Sequence, residues 1–170
     1  MTKITFQNLP STSTPVNATN LNQLQTNVEN AINEKNIITI QLGSEFSCTT
    51  LDAYTAVTGF VQANKIGDKL SFSNNSIVIG AGVSKIKVTA KAGWYATNTS
   101  TKYLRLLKNN STLVWSTINV PNSSFLSDSI PENLVDVVQG DTISMSYYTA
   151  VAGDSLQDSM RTFITVEVVA

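Results

Sequence analysis

Asp154 and Asp158 stand four residues apart in the turn-rich run from Gly153 to Ser159. Two carboxylates can share acid and base work on a glycosidic bond if a groove holds them about 5–9.5 Å apart. With neighbouring carbonyls they can instead supply some of the several oxygens that a hard cation requires. In so polar a loop the plainer expectation is a solvated surface, and neither a metal nor a cofactor is expected. A nucleophilic serine fares no better. The chain contains no histidine, so a serine would need a lysine base, and neither Ser84-Lys85 nor Ser71 beside Lys69 forms a Ser-x-x-Lys motif. Gly80-Ala81-Gly82 resembles half a phosphate loop, but no Lys-Ser/Thr follows it, and a turn is expected. Cys48, the one cysteine, has no partner for a disulfide and is expected as a buried structural thiol. These absences lead to a chain read as a non-enzyme.

The aromatic residues are the remaining candidates. Trp94, Tyr95, Trp115, Tyr147 and Tyr148 all lie in or beside stretches of alternating polarity. An aromatic face with neutral Asn, Ser and Thr donors suits a saccharide, since such a site needs neither charge nor metal. Tyr148 shares its side of the pattern with Ser144 and Ser146, so it is the leading candidate for a sugar-stacking platform. Trp94, Asn98 and Asp154 complete the expected ligand-binding set. Tyr147 shares its side with Ile143 and Met145 and is expected inside or at a subunit interface.

The 170 residues suit one domain, or one domain with an appendage. Twelve acidic and eleven basic residues leave a net charge of −1, which offers no footprint for nucleic acid or for an anionic membrane. Only 14 % of residues are charged, against about 25 % in ordinary domains. Ser, Thr and Asn make up about a third of the chain instead. The N-terminal sequence lacks the apolar core of a signal peptide. No run approaches the ~20 apolar residues of a membrane span.

The elements that must position these residues are legible from periodicity. Pro10 and Pro15 bracket a Ser/Thr run, so residues 1–16 read as an extended leader. Leu21, Leu24, Val28, Ala31 and Ile32 then fall on one stripe of a helix, with Asn17 or Thr19 as candidate N-cap. A helix of ~15 residues is marginal alone, so its stripe must pack on the rest of the chain or on copies of itself. From residue 37 onward the period switches to two. Ile38, Ile40 and Leu42, then Ile77 and Ile79, alternate with polar or smaller residues. Ile86, Val88 and Ala90 face away from Lys85, Lys87 and Lys91. Leu104 with Leu106, Leu113 with Trp115, Ile143 with Met145, and Ile164 with Val166 and Val168 repeat the pattern. Turn chemistry such as Asn74-Asn75, Asn109-Asn110-Ser111 and Gly140-Asp141 separates them. Short strands without intervening helices indicate an all-β antiparallel sandwich or barrel over 37–170, preceded by the extended leader and helix of 1–36.

Two stretches carry a resemblance. Ile4-Thr5-Phe6 followed by Pro15-Val16-Asn17-Ala18-Thr19-Asn20-Leu21-Asn22 resembles the N-terminal segment of tail-fibre and baseplate proteins from phages of Gram-positive bacteria. There such a run opens a helix that attaches the fibre and trimerises. Gly93 and Tyr95, then Gly140-Asp141 with Ile143, then Phe163 resemble the globular head of complement-type and tumour-necrosis-factor-like proteins, a trimeric jelly roll. The resemblance implies a homotrimer, with Leu21, Leu24, Val28, Ile32, Met145, Tyr147 and Phe163 at its interfaces. It also implies a virion protein made in the bacterial cytoplasm, contacts with other tail or baseplate proteins, and a host-surface saccharide as receptor. A purely structural virion or cell-surface module without glycan binding is the alternative.

Overall fold

The structure, a computed structural model, describes residues 18–95, 102–119 and 125–170. The chain divides into two compact units, Met1–Lys35 and Asn36–Ala170. In the first, helix α1 spans Ala18–Glu34, so Thr19 lies within the helix rather than capping it, and Asn17 falls outside the described residues. Leu24 and Val28 are 60 % and 49 % exposed; within this chain the apolar stripe is not fully covered.

Among the described residues the second unit consists of thirteen strands: β1 (Ile37–Leu42), β2 (Phe46–Ser47), β3 (Ala53–Ala56), β4 (Phe60–Ile66), β5 (Leu70–Ser73), β6 (Ser76–Ile79), β7 (Lys85–Tyr95), β8 (Lys102–Lys108), β9 (Thr112–Asn119), β10 (Phe125–Asp136), β11 (Thr142–Thr149), β12 (Ser155–Leu156) and β13 (Ser159–Val168). They form two antiparallel sheets. In the seven-stranded sheet β7 is central: β10 lies along one edge, β13 and β12 along the other, and β1 and β4 continue beyond β13. In the six-stranded sheet β11 is central, flanked by β8 and then β9 on one side. On its other side β6 pairs with the start of β11 and β3 with its end.

Alternation decides which face is buried. Ile38, Ile40 and Leu42 of β1, Ile86, Val88, Ala90, Ala92 and Trp94 of β7, and Ile164 and Val166 of β13 point into the sandwich. Ile77, Ile79, Leu104, Leu106, Ile143, Met145 and Tyr147 meet them from the other sheet. Each such Val, Leu, Ile or Met side chain, once fully buried, contributes about 1.5–3 kcal/mol. Between the sheets this amounts to an all-β jelly-roll sandwich.

Four strands escape a period-two reading for physical reasons. β4 is an edge strand with only Phe60 buried, so it shows no alternation. β10 carries Pro131 at a register break between Ile130 and Asn133, which an edge strand tolerates because the missing N–H faces no partner. β2 and β12 have two residues each, too few for any period.

Candidate functional site

The outward face of the β3–β11–β8 sheet collects the polar and aromatic residues that alternation sends away from the core. Antiparallel register sets them in rows. Tyr54, Tyr148 and Tyr103 lie side by side, and in the next row Ala56, Ser146 and Arg105 do the same. Ser144 and Leu107 form a third row. The three tyrosine rings pack with centroids 5.4 Å (Tyr54–Tyr148), 5.2 Å (Tyr103–Tyr148) and 6.2 Å (Tyr54–Tyr103) apart. These are spacings at which aromatic pairs add stability beyond area burial. The Tyr148 hydroxyl donates to Asp52 Oδ1 at 3.2 Å. Burial in the cluster, followed by that hydrogen bond, raises the phenol above its ordinary titration range.

Beside the tyrosines the same face opens into a pocket of about 380 Å³. Its floor holds Ser144, Ser146 and Arg105, one wall is Tyr54, and its rim is supplied by two turns, Asn74-Asn75 and Asn110-Ser111. Both turns exist because asparagine tolerates the left-handed backbone. Asn74 and Asn75 have φ of 48° and 60°, Asn109 and Asn110 of 54° and 57°. Positive φ at both central residues marks the two-residue hairpin that matches strand twist, and Asn74-Asn75 joins Ser73 directly to Ser76 in this way.

The rim is then fixed by side-chain hydrogen bonds. Asn75 Oδ1 accepts from the N–H groups of Gly59 and Phe60 at 2.8 and 3.1 Å. Ser144 Oγ donates to Asn110 Oδ1 at 2.7 Å. Asn109 bridges to the Gly140-Asp141 turn: its Nδ2 donates to Asp141 Oδ1 at 2.7 Å while its Oδ1 accepts from the Thr142 N–H at 2.9 Å. Asp141 also accepts from the Val138 N–H at 2.9 Å and has the Lys108 ammonium 3.5 Å away. The Asn109 amide foremost, then Val138, holds this carboxyl below its usual range.

Among the described residues Arg105 is the one charged lining residue of the pocket. Its guanidinium carbon lies 3.4 Å from the centroid of the Tyr54 ring, in cation–π contact. Its Nε is buried without a hydrogen-bond partner, and so is Ser146 Oγ beside it.

Of the four ligand-binding residues expected from sequence, Tyr148 lies on this face, in ring contact with the pocket wall. Trp94 and Asp154 lie elsewhere. Trp94 is 1 % exposed in the core of β7, because it occupies the inward register that begins at Ile86. Asp154 is 0 % exposed, salt-bridged to the equally buried Lys102 at 2.9 Å and accepting from Thr149 Oγ1 at 2.7 Å. It is therefore separated from exposed Asp158, and no group of metal-ligating side chains occurs among the described residues. Asn98 lies outside the described residues.

Met145 and Tyr147, expected at a trimer interface, are covered within their own chain at 1 % and 0 % exposure. Burial foremost, then the Asp154 charge, raises the Tyr147 phenol far above its usual range. Phe163 is half-buried on the outward side of β13, Leu21 is half-buried, and the side chain of Ile32 is not among those described. Cys48 is buried, its thiol donating to the Thr50 carbonyl. Sequence reasoning missed Tyr54, Arg105 and the two rim turns as a group. The signal was available in part, since Tyr103 and Arg105 alternate with inward Leu104 and Leu106.

Similarity in shape settles the fold family. Murine APRIL superposes with a TM-score of 0.64 at 14 % identity, covering 79 % of this chain and 99 % of that one. The Eiger TNF from S. frugiperda gives 0.59 at 12 % identity, with 79 % and 93 % covered. The PRD1 vertex protein P5 gives 0.56 at 18 % identity, with 79 % and 97 % covered. The fold is a tumour-necrosis-factor-like jelly roll. No family model matches the sequence, and no curated protein matches it. At these identities the likeness establishes the fold alone.

Proposed function

We propose that this chain is a phage tail or baseplate protein whose self-associating jelly-roll head attaches the virion to a saccharide on the host surface. The observation that carries the saccharide reading is the outward pocket itself. It combines the Tyr54 ring with amide and hydroxyl groups of Asn74, Asn75, Asn110, Ser111 and Ser144, the mixture of one apolar face and several neutral donors and acceptors that a sugar ring presents in reverse. A volume of about 380 Å³ falls within the ~300–1,000 Å³ of small-ligand sites. The test is binding of fluorescently labelled protein to a panel of Gram-positive cells and purified wall glycans, beside a Tyr54→Ala variant. Binding that the variant loses supports the reading; no binding across the panel overturns it.

A second reading, a purely structural assembly module, draws on the apolar side chains left in solvent. Leu113 is 53 % exposed, Leu134 62 % and Val138 66 %. Exposed apolar residues that cluster mark protein contacts. Under this reading Tyr54→Ala leaves assembly intact and glycan binding is absent from the start.

A further inference from the structure

We infer that the sugar taken by the outward pocket is anionic, and that Arg105 receives its carboxylate or phosphate-ester oxygen. This deepens the saccharide reading and rests on it. The argument begins with what Arg105 lacks. A guanidinium presents five N–H donors in a planar fork and stays charged at every physiological pH. Here one of those donors, Nε, is buried with no acceptor, and Arg105 joins no ion pair with any described carboxylate. Its one strong contact is the Tyr54 ring, which holds the plane of the fork but satisfies none of its N–H groups. A buried donor without an acceptor is unfavourable, so the guanidinium favours a group that can accept from it.

The surroundings determine the acceptor's charge. Among the described residues no Asp or Glu lines the pocket, and every other lining residue is neutral. Two carboxylates bonded to residues of this face are already engaged, Asp141 by Asn109, Val138 and Lys108 and Asp52 by Tyr148. The local field in the pocket is therefore that of one uncompensated cation. Ser146, paired in register with Arg105, adds a hydroxyl whose oxygen is buried and without a partner. A carboxylate or phosphate ester in the pocket can accept from the Arg105 guanidinium, a charge-assisted hydrogen bond about twice as strong as a neutral one. A neutral sugar meets Tyr54 and the asparagines equally well but leaves the guanidinium unanswered.

The experiment is calorimetric or NMR titration of the full chain with glucose, glucuronate, glucose 1-phosphate and inorganic phosphate, at about 50 and 500 mM NaCl. The expected result is at least tenfold tighter binding of glucuronate or glucose 1-phosphate than of glucose, a preference that shrinks at high salt. Arg105→Gln should abolish the preference while retaining weak glucose binding, and Arg105→Lys, which keeps charge but not the fork, should fall between. Equal binding of glucose and the charged sugars, unchanged by Arg105→Gln, overturns the inference and leaves the saccharide reading standing. Absence of binding by all three sugars removes both. Inorganic phosphate binding as tightly as glucose 1-phosphate marks an anion site without sugar recognition and also overturns it. A melting temperature of Arg105→Gln within a few degrees of the parent shows that the variant is folded, and the salt dependence of the parent protein tests the same point without any substitution.

Discussion

Two buried carboxylates illustrate how the few charges of this chain are used. Asp154 and Lys102 are both fully buried and 2.9 Å apart. Desolvating such a pair makes it of little net benefit, whereas removing one member strands the other in a low-dielectric interior. Lys102→Met is therefore expected to cost about 3–5 kcal/mol in urea unfolding, and the double variant Lys102→Met/Asp154→Leu to recover much of that loss. Equal destabilisation by single and double variants would show that packing volume, not charge, is what the site requires. Asp141 behaves differently, because it sits at the edge of the pocket and is held foremost by neutral donors, with the Lys108 ammonium 3.5 Å away as a lesser partner. Its folded-state pKa lies below the ordinary value of 3.8, so its contribution is fully present above that value and is lost as pH falls through the folded one. Asp141→Asn should cost about 2 kcal/mol between about pH 6 and 8, within the range for hydrogen bonds to a charged group. The gap between parent and variant should then close as the pH falls below about 4. A gap that stays constant through that range would mean that the carboxylate charge is irrelevant there.

At the scale of elements, the abundance of asparagine has a structural cause. Asn74, Asn75, Asn109 and Asn110 all sit at positive φ, where an ordinary side chain pays about 1–2 kcal/mol. Asn75 adds two hydrogen bonds that pin the start of β4. Asn75→Gly keeps the backbone and loses only those bonds; Asn75→Ala loses both. The alanine variant should be about 1 kcal/mol less stable than the glycine variant by thermal or chemical unfolding, and equal stability would deny any backbone strain at this turn. Gly93 is required for a different reason: an added Cβ would lie 2.8 Å from the Cβ of Arg161 on β13. The inward alternation of β1, β7, β8 and β13 was legible because one face of each is dry, and the hairpin around Asn109-Asn110 was legible from its turn. What periodicity cannot reveal is which strands lie side by side. Tyr54, Ser146 and Arg105 are distant in sequence and become one site only through the β3–β11–β8 register. Trp94 was misjudged for the same reason. Its side of β7 is set by Ile86 at the other end of the strand, and the sandwich covers that side along its full length.

The whole molecule combines a pocketed head with a helix whose apolar stripe is partly uncovered. Leu24 and Val28 expose 60 % and 49 % of their surface in the single chain, and a 17-residue helix is near the ~12–15-residue limit at which isolated helices become marginal in water. Its charged residues are Glu29 and Glu34 alone, so attraction between copies, where it occurs, must come from apolar burial and amide hydrogen bonds rather than from ion pairs. We expect the full chain to sediment as a trimer at micromolar concentration. The double variant Leu24→Asp/Val28→Asp should shift it toward monomer, since it places carboxylates of like charge together on the joined stripe. The head has its own core and its own hydrogen-bonded sheets, so its cooperative unfolding should remain within a few degrees of the parent's. Raising NaCl to about 1 M shortens the screening length to ~3 Å; it should leave the parent's association unchanged while partly restoring that of the Asp variant. A parent protein that sediments cleanly as a monomer overturns the trimer. A variant that stays trimeric relocates the interface to the head, where half-buried Phe163 and the exposed Leu134 and Val138 are the next positions to substitute.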